Sequence, residues 1–523
     1  MTFAVLGHIL PELILLVGAC ALLVLGVTRV GRAPGALAGA TCGVCAAALA
    51  ATLWAGIPDG TAELPGLALS AMTFYVRWLT LLVGLLLVLL NWRQADPAEQ
   101  GEYLSLLLFT MLGVLLTASA SDVVVLFFAI ELVSVPTYVL VALSRRDVRA
   151  SEAAVKYFFL GALSAALLAY GLGFLYGAAG STSLSAMARA IGSGAEVGGL
   201  ALIGLLLVFG GLSFKIAAVP FHAYAADVYE GAAAPVTALL GFIPKFAGFV
   251  ALIRVLDVFG WAMSPGVFWL IWATAALTMT VGNILGLIQK NVKRMLAYSS
   301  IAHSGYMLVA LLVGPRLGEG PMSNGVTALL FYMAVYGVMN LGAFAALSSF
   351  RRGEDEVELV EDLSGLARSQ PGAALALCVC LFSLMGFPPT AGFLGKVYIF
   401  SGAFSVGADH AYAGALAVLA VIGVLNSAVA AAYYLRVAAV CWVNPERERL
   451  APASGMSGRL GLTIAAVAMI ALFVSPQALL SRARTASEPV LSGSVVKGVS
   501  RLGLDGASVP SGISAEGYAA LSE

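Results

Sequence analysis

Residues 198–220 read GGLALIGLLLVFGGLSFKIAAVP, and this stretch contains the features that decide the fold. It is long enough to cross a bilayer core of about 30 Å as a helix. Lys215 lies inside it, although a charged side chain at mid-span costs at least about 2.5 kcal/mol on insertion scales. Pro220 follows, and a proline within a helix removes one backbone hydrogen bond. The stretch therefore predicts a broken transmembrane helix that holds a charge for a functional reason.

Apolar runs of spanning length recur along the whole chain. Of its 523 residues, 60% are hydrophobic and 11% are charged, whereas soluble proteins have about 25% charged residues. The pattern predicts an all-α, polytopic membrane protein embedded in the lipid bilayer, and the zero net charge argues against a nucleic-acid partner. We predict about fourteen spans, at residues 9–28, 35–56, 71–91, 103–119, 122–143, 155–178, 198–220, 233–256, 266–288, 294–313, 325–349, 373–403, 412–443 and 460–481.

The twelfth span resembles the seventh. Pro388 and Pro389 interrupt it seven residues before Lys396. Two lysine-bearing broken helices, 7 and 12, lie five spans apart, and transporter folds place ion sites at such breaks between inverted repeats. We therefore predict two inverted five-helix repeats. The domains would be a three-helix segment at 1–102, a first repeat at 103–258, a second repeat at 259–445, and a last span with a flexible polar tail at 446–523.

Basic residues concentrate in alternate loops, which predicts the orientation through the positive-inside rule. With the N-terminus outside, the outer loops between helices contain little basic charge beyond Arg189 and Arg316. Both termini of this multi-pass chain would then face the periplasmic side of a bacterial-type inner (plasma) membrane. The basic residues of the inner loops are Arg29, Arg32, Arg93, Arg145, Arg146, Arg149, Lys290, Lys293, Arg294, Arg351, Arg352, Arg368, Arg447, Arg449 and Arg459.

Four charged residues lie well inside predicted spans: Glu131, Lys215, Lys245 and Lys396. A lysine near a membrane surface can extend its ammonium group to the interface, which is the structural alternative for the three lysines. The short side chain of Glu131 cannot, so its alternative is a static ion pair. Lys156 lies nearer a membrane face, where either the interface or a carboxylate would explain it.

Two histidines also lie in or beside predicted spans. His222 follows the break of span seven, and His303 lies in span ten. Either could relay protons, because the imidazole group titrates near neutral pH, or could be a hydrogen-bonded packing residue. Cys42 and Cys45 have CxxC spacing, but without a second pair nearby they read better as small apolar residues than as a metal or redox site.

Buried lysines and a carboxylate together suit proton transfer. A buried ammonium group gives up its proton near neutral pH, a neighbouring carboxylate opposes that loss, and a change in their separation moves the proton. A row of such groups would conduct protons at mid-membrane depth.

Three longer motifs resemble the antiporter-like membrane subunits of respiratory complex I. They are NVKRMLAYSSIAHSGY at 291–306, KIAAVPFHAYAADVYEGA at 215–232 and GFPPTAGFLGK at 386–396. Within that family the chain is most similar to the N-type subunits. We expect no long lateral helix of the L-type after its fourteenth span, and it has Lys396 where the M-type usually has glutamate.

The resemblance implies specific roles and a division of labour. Glu131 and Lys215 would be the switching pair, Lys245 the central lysine and Lys396 the lysine towards the outlet, with His303 in a less defined role. NADH, flavin, iron–sulfur clusters and quinone would bind other subunits of the complex, which are the expected partners, and no cofactor or metal would bind this chain.

Three other functions compete with a subunit of a proton-pumping NADH:quinone oxidoreductase. A subunit of a multi-subunit sodium/proton antiporter would share the fold and many motifs. A structural scaffold would use the buried charges only to dock neighbouring subunits. An independent solute transporter is disfavoured, because the sequence indicates no polar substrate pocket beyond the ion-path residues.

Overall fold

A computed structural model describes residues 7–501 with short gaps at 29–30, 32, 34, 58–61, 93–98, 193–197, 262, 317–321, 353–354, 408–409, 447–449 and 453–454. The inner-loop residues Arg29, Arg32, Arg93, Arg447 and Arg449 lie outside the described residues, as does the end of the predicted tail, 502–523.

The described chain is almost entirely helical. Its helices are α1 (Leu10–Gly26), α2 (Ala36–Ala55), α3 (Ala71–Leu90), α4 (Gln100–Ser119), α5 (Val123–Leu143), α6 (Val148–Ala179), α7 (Leu184–Gly192), α8 (Gly199–Lys215), α9 (Ala223–Gly231), α10 (Ala234–Val258), α11 (Pro265–Leu287), α12 (Val292–Val313), α13 (Gly325–Ser348), α14 (Leu366–Ser369), α15 (Pro371–Met385), α16 (Ala391–Phe404), α17 (Ala413–Trp442), α18 (Met456–Val474) and α19 (Gln477–Arg501). A 3₁₀ turn covers Val360–Leu363.

The predicted set of spans is confirmed. Eleven described helices are long and apolar enough to cross a membrane, and four shorter apolar helices accompany them. Adding α1, the pair α8 and α9, and the pair α15 and α16 to those eleven gives the fourteen predicted positions. Spans seven and twelve are each two helices separated by a break, as the prolines predicted. Because five is odd, two consecutive five-helix units, as predicted, would run in opposite directions through the bundle.

Short polar side chains fix where several spans begin. Asp122 accepts a hydrogen bond from the N–H of Val124, and Asn291 accepts from those of Lys293 and Arg294. Such N-caps satisfy backbone donors that the helix itself leaves free.

Loops with many basic residues meet at one end of the bundle, which we call the basic end. Arg145 and Arg149 both contact Glu358, 3.2 Å away. Burial alone would lower the pKa of Arg145, but the carboxylates of Glu356, Asp147 and Glu358 outweigh burial and raise that pKa. The small sheet β4–β3–β5 (Asp355–Glu356, Phe350–Arg352, Ala451–Pro452) also lies here, whereas the hairpin β1–β2 (Ala62–Leu64, Leu67–Leu69) precedes α3.

The most enclosed helices are α10, α12 and α13, which are surrounded over nearly their whole length. By contrast, only about a third of the residues in the apolar stretches of α6, α17 and α18 are buried. The core of the bundle therefore contains the helices that carry Lys245 and His303.

The segment after span fourteen differs from the prediction. We predicted a span up to residue 481 and then a flexible tail, but α18 ends at Val474 and α19 follows to Arg501. Pro476 separates the two helices, since proline cannot continue the preceding helix. Leu479, Ala483, Ala486 and Val490 are buried, at the spacing of one helix face. The domain boundaries themselves stay a prediction.

An ion pair joins the first and third spans. The Arg77 guanidinium lies 2.7 Å from a carboxylate oxygen of Glu12, and both side chains are buried. Both residues lie inside apolar runs of the sequence, which is the signal that could have identified them.

Candidate functional site

The break between α8 and α9 frees backbone groups, and side chains of other helices satisfy them. The carbonyl of Phe214 accepts a hydrogen bond from the Tyr224 hydroxyl, and the N–H of Val219 donates to the hydroxyl of Thr278 on α11, 3.0 Å away. Ser304 on α12 donates to the carbonyl of Ile216, at 2.5 Å. Irregular backbone at membrane depth is tolerated where protein or water takes up its hydrogen bonds.

Lys215, the last residue of α8, points at α5. Its ammonium group lies 3.1 Å from a carboxylate oxygen of Glu131 and donates to the hydroxyl of Ser134 at 2.6 Å. The Tyr138 hydroxyl is 3.5 Å away. The structure therefore brings together the two residues that the sequence analysis paired.

Glu131 is not enclosed by its own chain. Its side chain is 19% exposed and lines an open cavity of about 610 Å³ on the outer face of α5. Val124, Phe128 and Val135, on the same face, are about half exposed or more. The carboxylate thus lies at the edge of an apolar surface rather than in the core.

Lys245, near the middle of α10, faces α12. It donates to the backbone carbonyl of Ser300 and to the Ser304 hydroxyl, 2.9 Å from the latter. Because Ser304 also donates to Ile216, the residue after Lys215, one hydroxyl connects the surroundings of the two lysines. The Ser300 hydroxyl accepts from Tyr336 at 2.8 Å.

His303 lies on the same helix as these serines. Its Nδ1 is 2.6 Å from the Tyr332 hydroxyl and its Nε2 is 3.4 Å from that of Tyr434. The imidazole also contacts the ring of Tyr336, with centroids 5.0 Å apart. Each of its nitrogens therefore has a hydroxyl through which a proton could pass.

Lys396 lies on α16, and its side chain reaches back to the break of span twelve. Its ammonium group donates to the carbonyl of Met385, the last residue of α15, at 2.9 Å. It also lies 4.8 Å from the centre of the Tyr306 ring. Gly386 has φ 82°, and a Cβ there would approach the Lys396 Cδ to 2.8 Å. The glycine therefore allows both the turn and the close approach of the lysine.

These residues form a set at mid-span depth, which we call the polar chain. It consists of Glu131, Ser134, Lys215, Ser304, Lys245, Ser300, Tyr336, His303, Tyr332 and Lys396. The three lysines are only 3–5% exposed and His303 is 2% exposed. Among the residues that the structure describes, no carboxylate lies within ion-pair distance of Lys245 or Lys396.

Two of the predicted relay residues lie apart from the polar chain. His222 is half-buried just before α9, and its Nδ1 makes no hydrogen bond within the described part of the chain. Lys156 is 42% exposed and pairs with Glu152 at 2.8 Å and Asp227 at 2.9 Å.

The hydroxyl groups of the polar chain were not predicted from the sequence. Ser300 and Ser304 are four residues apart, as are Tyr332 and Tyr336, so each pair lies on one helix face. That spacing in the sequence could have predicted that each pair of hydroxyl groups lies on one side of its helix. Which face turns toward a lysine depends on tertiary packing, which a single sequence does not show.

The described residues offer no metal-binding group of three or more His, Cys, Asp or Glu side chains. Cys42 and Cys45 lie on α2 as free thiols.

Comparison with known proteins identifies similar chains. The sequence profile described as "NADH:quinone oxidoreductase/Mrp antiporter, TM" matches residues 120–423, more than half of the chain. NADH-quinone oxidoreductase subunit N of Trichlorobacter lovleyi is 40% identical over 451 residues, which cover 85% of this chain and 88% of the relative.

Two solved structures extend this similarity to three dimensions. A chain of respiratory complex I from Thermus thermophilus with bound aureothin is 33% identical, with a TM-score of 0.74 and coverage of 90% of this chain and 98% of that one. A chain of the Mrp complex from Dietzia sp. DQ12-45-1b has a TM-score of 0.80 at 21% identity, covering 95% and 99%. The latter establishes likeness of fold alone.

Lys245 and Lys215 have different partners, so we predict that removing the two lysines changes the stability of the protein in opposite directions. Lys245→Met removes a desolvated charge that has no carboxylate partner, so we expect the free energy of unfolding to rise by ~1–3 kcal/mol. Lys215→Met leaves Glu131 without its counter-ion, and we expect the free energy of unfolding to fall by ~1–2 kcal/mol. The expected effect is small because the Glu131 carboxylate is partly exposed. The thermal midpoint of the purified protein in mild detergent measures both. If Lys245→Met lowered the midpoint as much as Lys215→Met, the assignment of Lys245 as a destabilising, functional charge would be wrong.

Proposed function

Because the chain belongs to the subunit N family of NADH-quinone oxidoreductases, we propose that it is a membrane-arm subunit of a proton-pumping NADH:quinone oxidoreductase. It conducts protons through the polar chain, coupled to electron transfer in other subunits. The observation that carries this proposal is the Ser304 hydroxyl, which bonds both to Lys245 and to the backbone beside Lys215.

The Glu131–Lys215 pair has the chemistry of a switch. With the two groups 3.1 Å apart, the carboxylate holds the proton on the ammonium group. When they separate, burial disfavours the charged lysine, and the proton moves on toward Lys245. Proton export works against the membrane potential, which costs about 2.3 kcal/mol per charge per 100 mV, so the energy for this step must come from electron transfer in the other subunits.

Beyond Lys245 the proton would pass toward Lys396. Ser300, Tyr336 and His303 offer exchangeable protons between the two lysines. At Lys396 the ammonium group bonds only to the Met385 carbonyl and the face of Tyr306 among its described contacts. Without a counter-ion it holds its proton weakly, as the last group before release should.

The exposed face of α5 supports a membrane partner. A carboxylate beside half-exposed apolar side chains would be costly against lipid, so we assign this face to another membrane subunit of the complex. A moving group on that subunit could then change the Glu131–Lys215 distance.

We assign the redox chemistry to other subunits of the complex. We place NADH, flavin, the iron–sulfur clusters and quinone on other subunits of the complex, so this chain contributes proton conduction only. We further propose that it resides in the bacterial inner membrane with the basic end at the cytoplasm and both termini outside, following the positive-inside rule.

The two relay candidates outside the polar chain receive different assignments. Asp227 pairs both with Lys156 and with Arg294, whose guanidinium lies 2.8 Å from its carboxylate. We propose that this cluster of charges holds α6, α9 and α12 together. A relay role for His222 stays a prediction, which would require water between it and Lys215.

An antiporter subunit is the closest rival function, because the two kinds of complex share the fold. The 40% identity to a subunit N over 85% of this chain favours the oxidoreductase. Genes for subunits with cluster and flavin motifs beside this one would separate the two.

Lys215→Ala tests the proton path. In the assembled complex in proteoliposomes, we expect NADH-driven proton pumping to fall ~100-fold, the usual contribution of a positioned proton-transfer group. Lys156→Ala is the matched control, since it removes an exposed lysine outside the polar chain and should leave pumping unchanged. Full pumping and quinone reduction by an assembled Lys215→Ala complex would exclude Lys215 from the path.

Glu131→Gln separates the switch from the scaffold. The amide keeps the size of the side chain and loses its charge, so the complex should assemble normally while pumping falls. Subunit content by native gel and pumping in proteoliposomes provide the two readouts. Failed assembly with normal specific activity in the remaining complex would instead support a docking role for this carboxylate.

A further inference from the structure

A second cavity lies at the basic end, far along the helices from the polar chain. Its volume is about 710 Å³, and it opens between the ends of α13, α15 and α18. Phe350, in strand β3, and Leu450, just before β5, form part of its wall, and Leu462 forms another part. No step of the proposed proton path uses this cavity.

The cavity has a positive charge. Arg459 is the one charged side chain among the described residues that line it. Its guanidinium is exposed, and it has no carboxylate partner among the described ion pairs. Ser369, Gln370 and Thr463 add polar side chains to the same wall. The lining therefore favours an anion.

Backbone donors point into the same space. α15 begins at Pro371, and the side chain of its N-cap, Gln370, donates to the Leu450 carbonyl at 3.4 Å and does not cap the helix. The N–H groups of the first turn, including those of Gly372 and Ala373, therefore have no partner within the helix. A Cβ added to Gly372 would meet nothing within 4 Å, so this edge of the cavity is open to a ligand. Anions bind favourably at such a position.

The surface beside the cavity is apolar. Leu375 on α15 is 56% exposed, and Leu460 and Ile464 on α18 are 49% and 40% exposed. These side chains lie along the helices from the cavity toward the middle of the membrane. A molecule with an anionic head and hydrocarbon tails matches both parts of this surface.

We propose that the cavity binds the phosphate of an anionic membrane phospholipid, with Arg459 and the first turn of α15 holding the head group and the apolar surfaces of α15 and α18 holding the acyl chains. Basic pockets between transmembrane helices at the cytoplasmic surface bind such head groups. A lipid fits better than a soluble phosphate because the apolar surface continues directly from the cavity. This site is independent of the proposed proton path.

Photo-crosslinking tests the site. The full-length chain in its purified complex is placed in nanodiscs that contain phosphatidylcholine and a photoactivatable phosphatidylglycerol, and labelled peptides are located by mass spectrometry. We expect labelling at residues 369–376 and 459–464, stronger than with photoactivatable phosphatidylcholine. Arg459→Gln should reduce that labelling about fivefold, as expected for one basic side chain near a membrane surface.

Two further variants keep the test decisive. Gly372→Phe fills the cavity while it retains Arg459, and it should remove the labelling. Lys290→Gln, which removes an exposed basic side chain at the same end, should leave it unchanged. Equal labelling by the two lipids, no labelling, or labelling that survives both Arg459→Gln and Gly372→Phe would overturn the proposal. So would displacement of the label by inorganic phosphate, which would indicate a soluble anion.

Discussion

An ammonium group inside a bilayer-spanning bundle needs hydrogen-bond acceptors, and this requirement shapes the centre of the protein. Four lysines are almost fully buried. Lys293, at the basic end, pairs with Glu356 at 3.2 Å; among the three lysines of the polar chain, only Lys215 has a carboxylate beside it within the described residues. Lys245 and Lys396 rely on backbone carbonyls and hydroxyls instead. Such neutral acceptors stabilise a charge less than a carboxylate does, so these two lysines can release protons.

The helix breaks provide the acceptors and donors that the path needs. At the end of α15 the Met385 carbonyl is free to accept from Lys396, and at the end of α8 the Ile216 carbonyl accepts from Ser304. In an unbroken helix those carbonyls would accept from backbone N–H groups four residues later. Each break therefore removes backbone hydrogen bonds from its span and supplies carbonyl groups to the polar chain. This explains why each break lies beside a lysine.

Much of this arrangement could be predicted from local sequence. Apolar length identified the spans, and Pro220, Pro388 and Pro389 located the breaks, because both signals act within one segment. The pairing of Glu131 with Lys215 came from family resemblance, and the structure places their charged groups 3.1 Å apart. The roles proposed for the pair stay predictions.

Other features depend on tertiary packing. A tyrosine such as Tyr336 is a common apolar-face residue, and only its neighbour Ser300 gives it a place in the polar chain. The outward position of Glu131 could not be read from a run that is apolar on all sides. Residues 477–490 looked polar in composition, and the spacing of three and four residues between Leu479, Ala483, Ala486 and Val490 was the overlooked signal for α19.

The central claim is that one continuous proton path joins Lys215 to Lys396, and internal water tests it most directly. A cryo-EM map of the complete complex, at a resolution that shows ordered water, would reveal what lies between the Lys245 ammonium group, His303 and Lys396. The proposed path predicts water molecules that bridge Lys245 to His303 and His303 to Lys396. Closely packed apolar side chains without water between any two of these groups would contradict it.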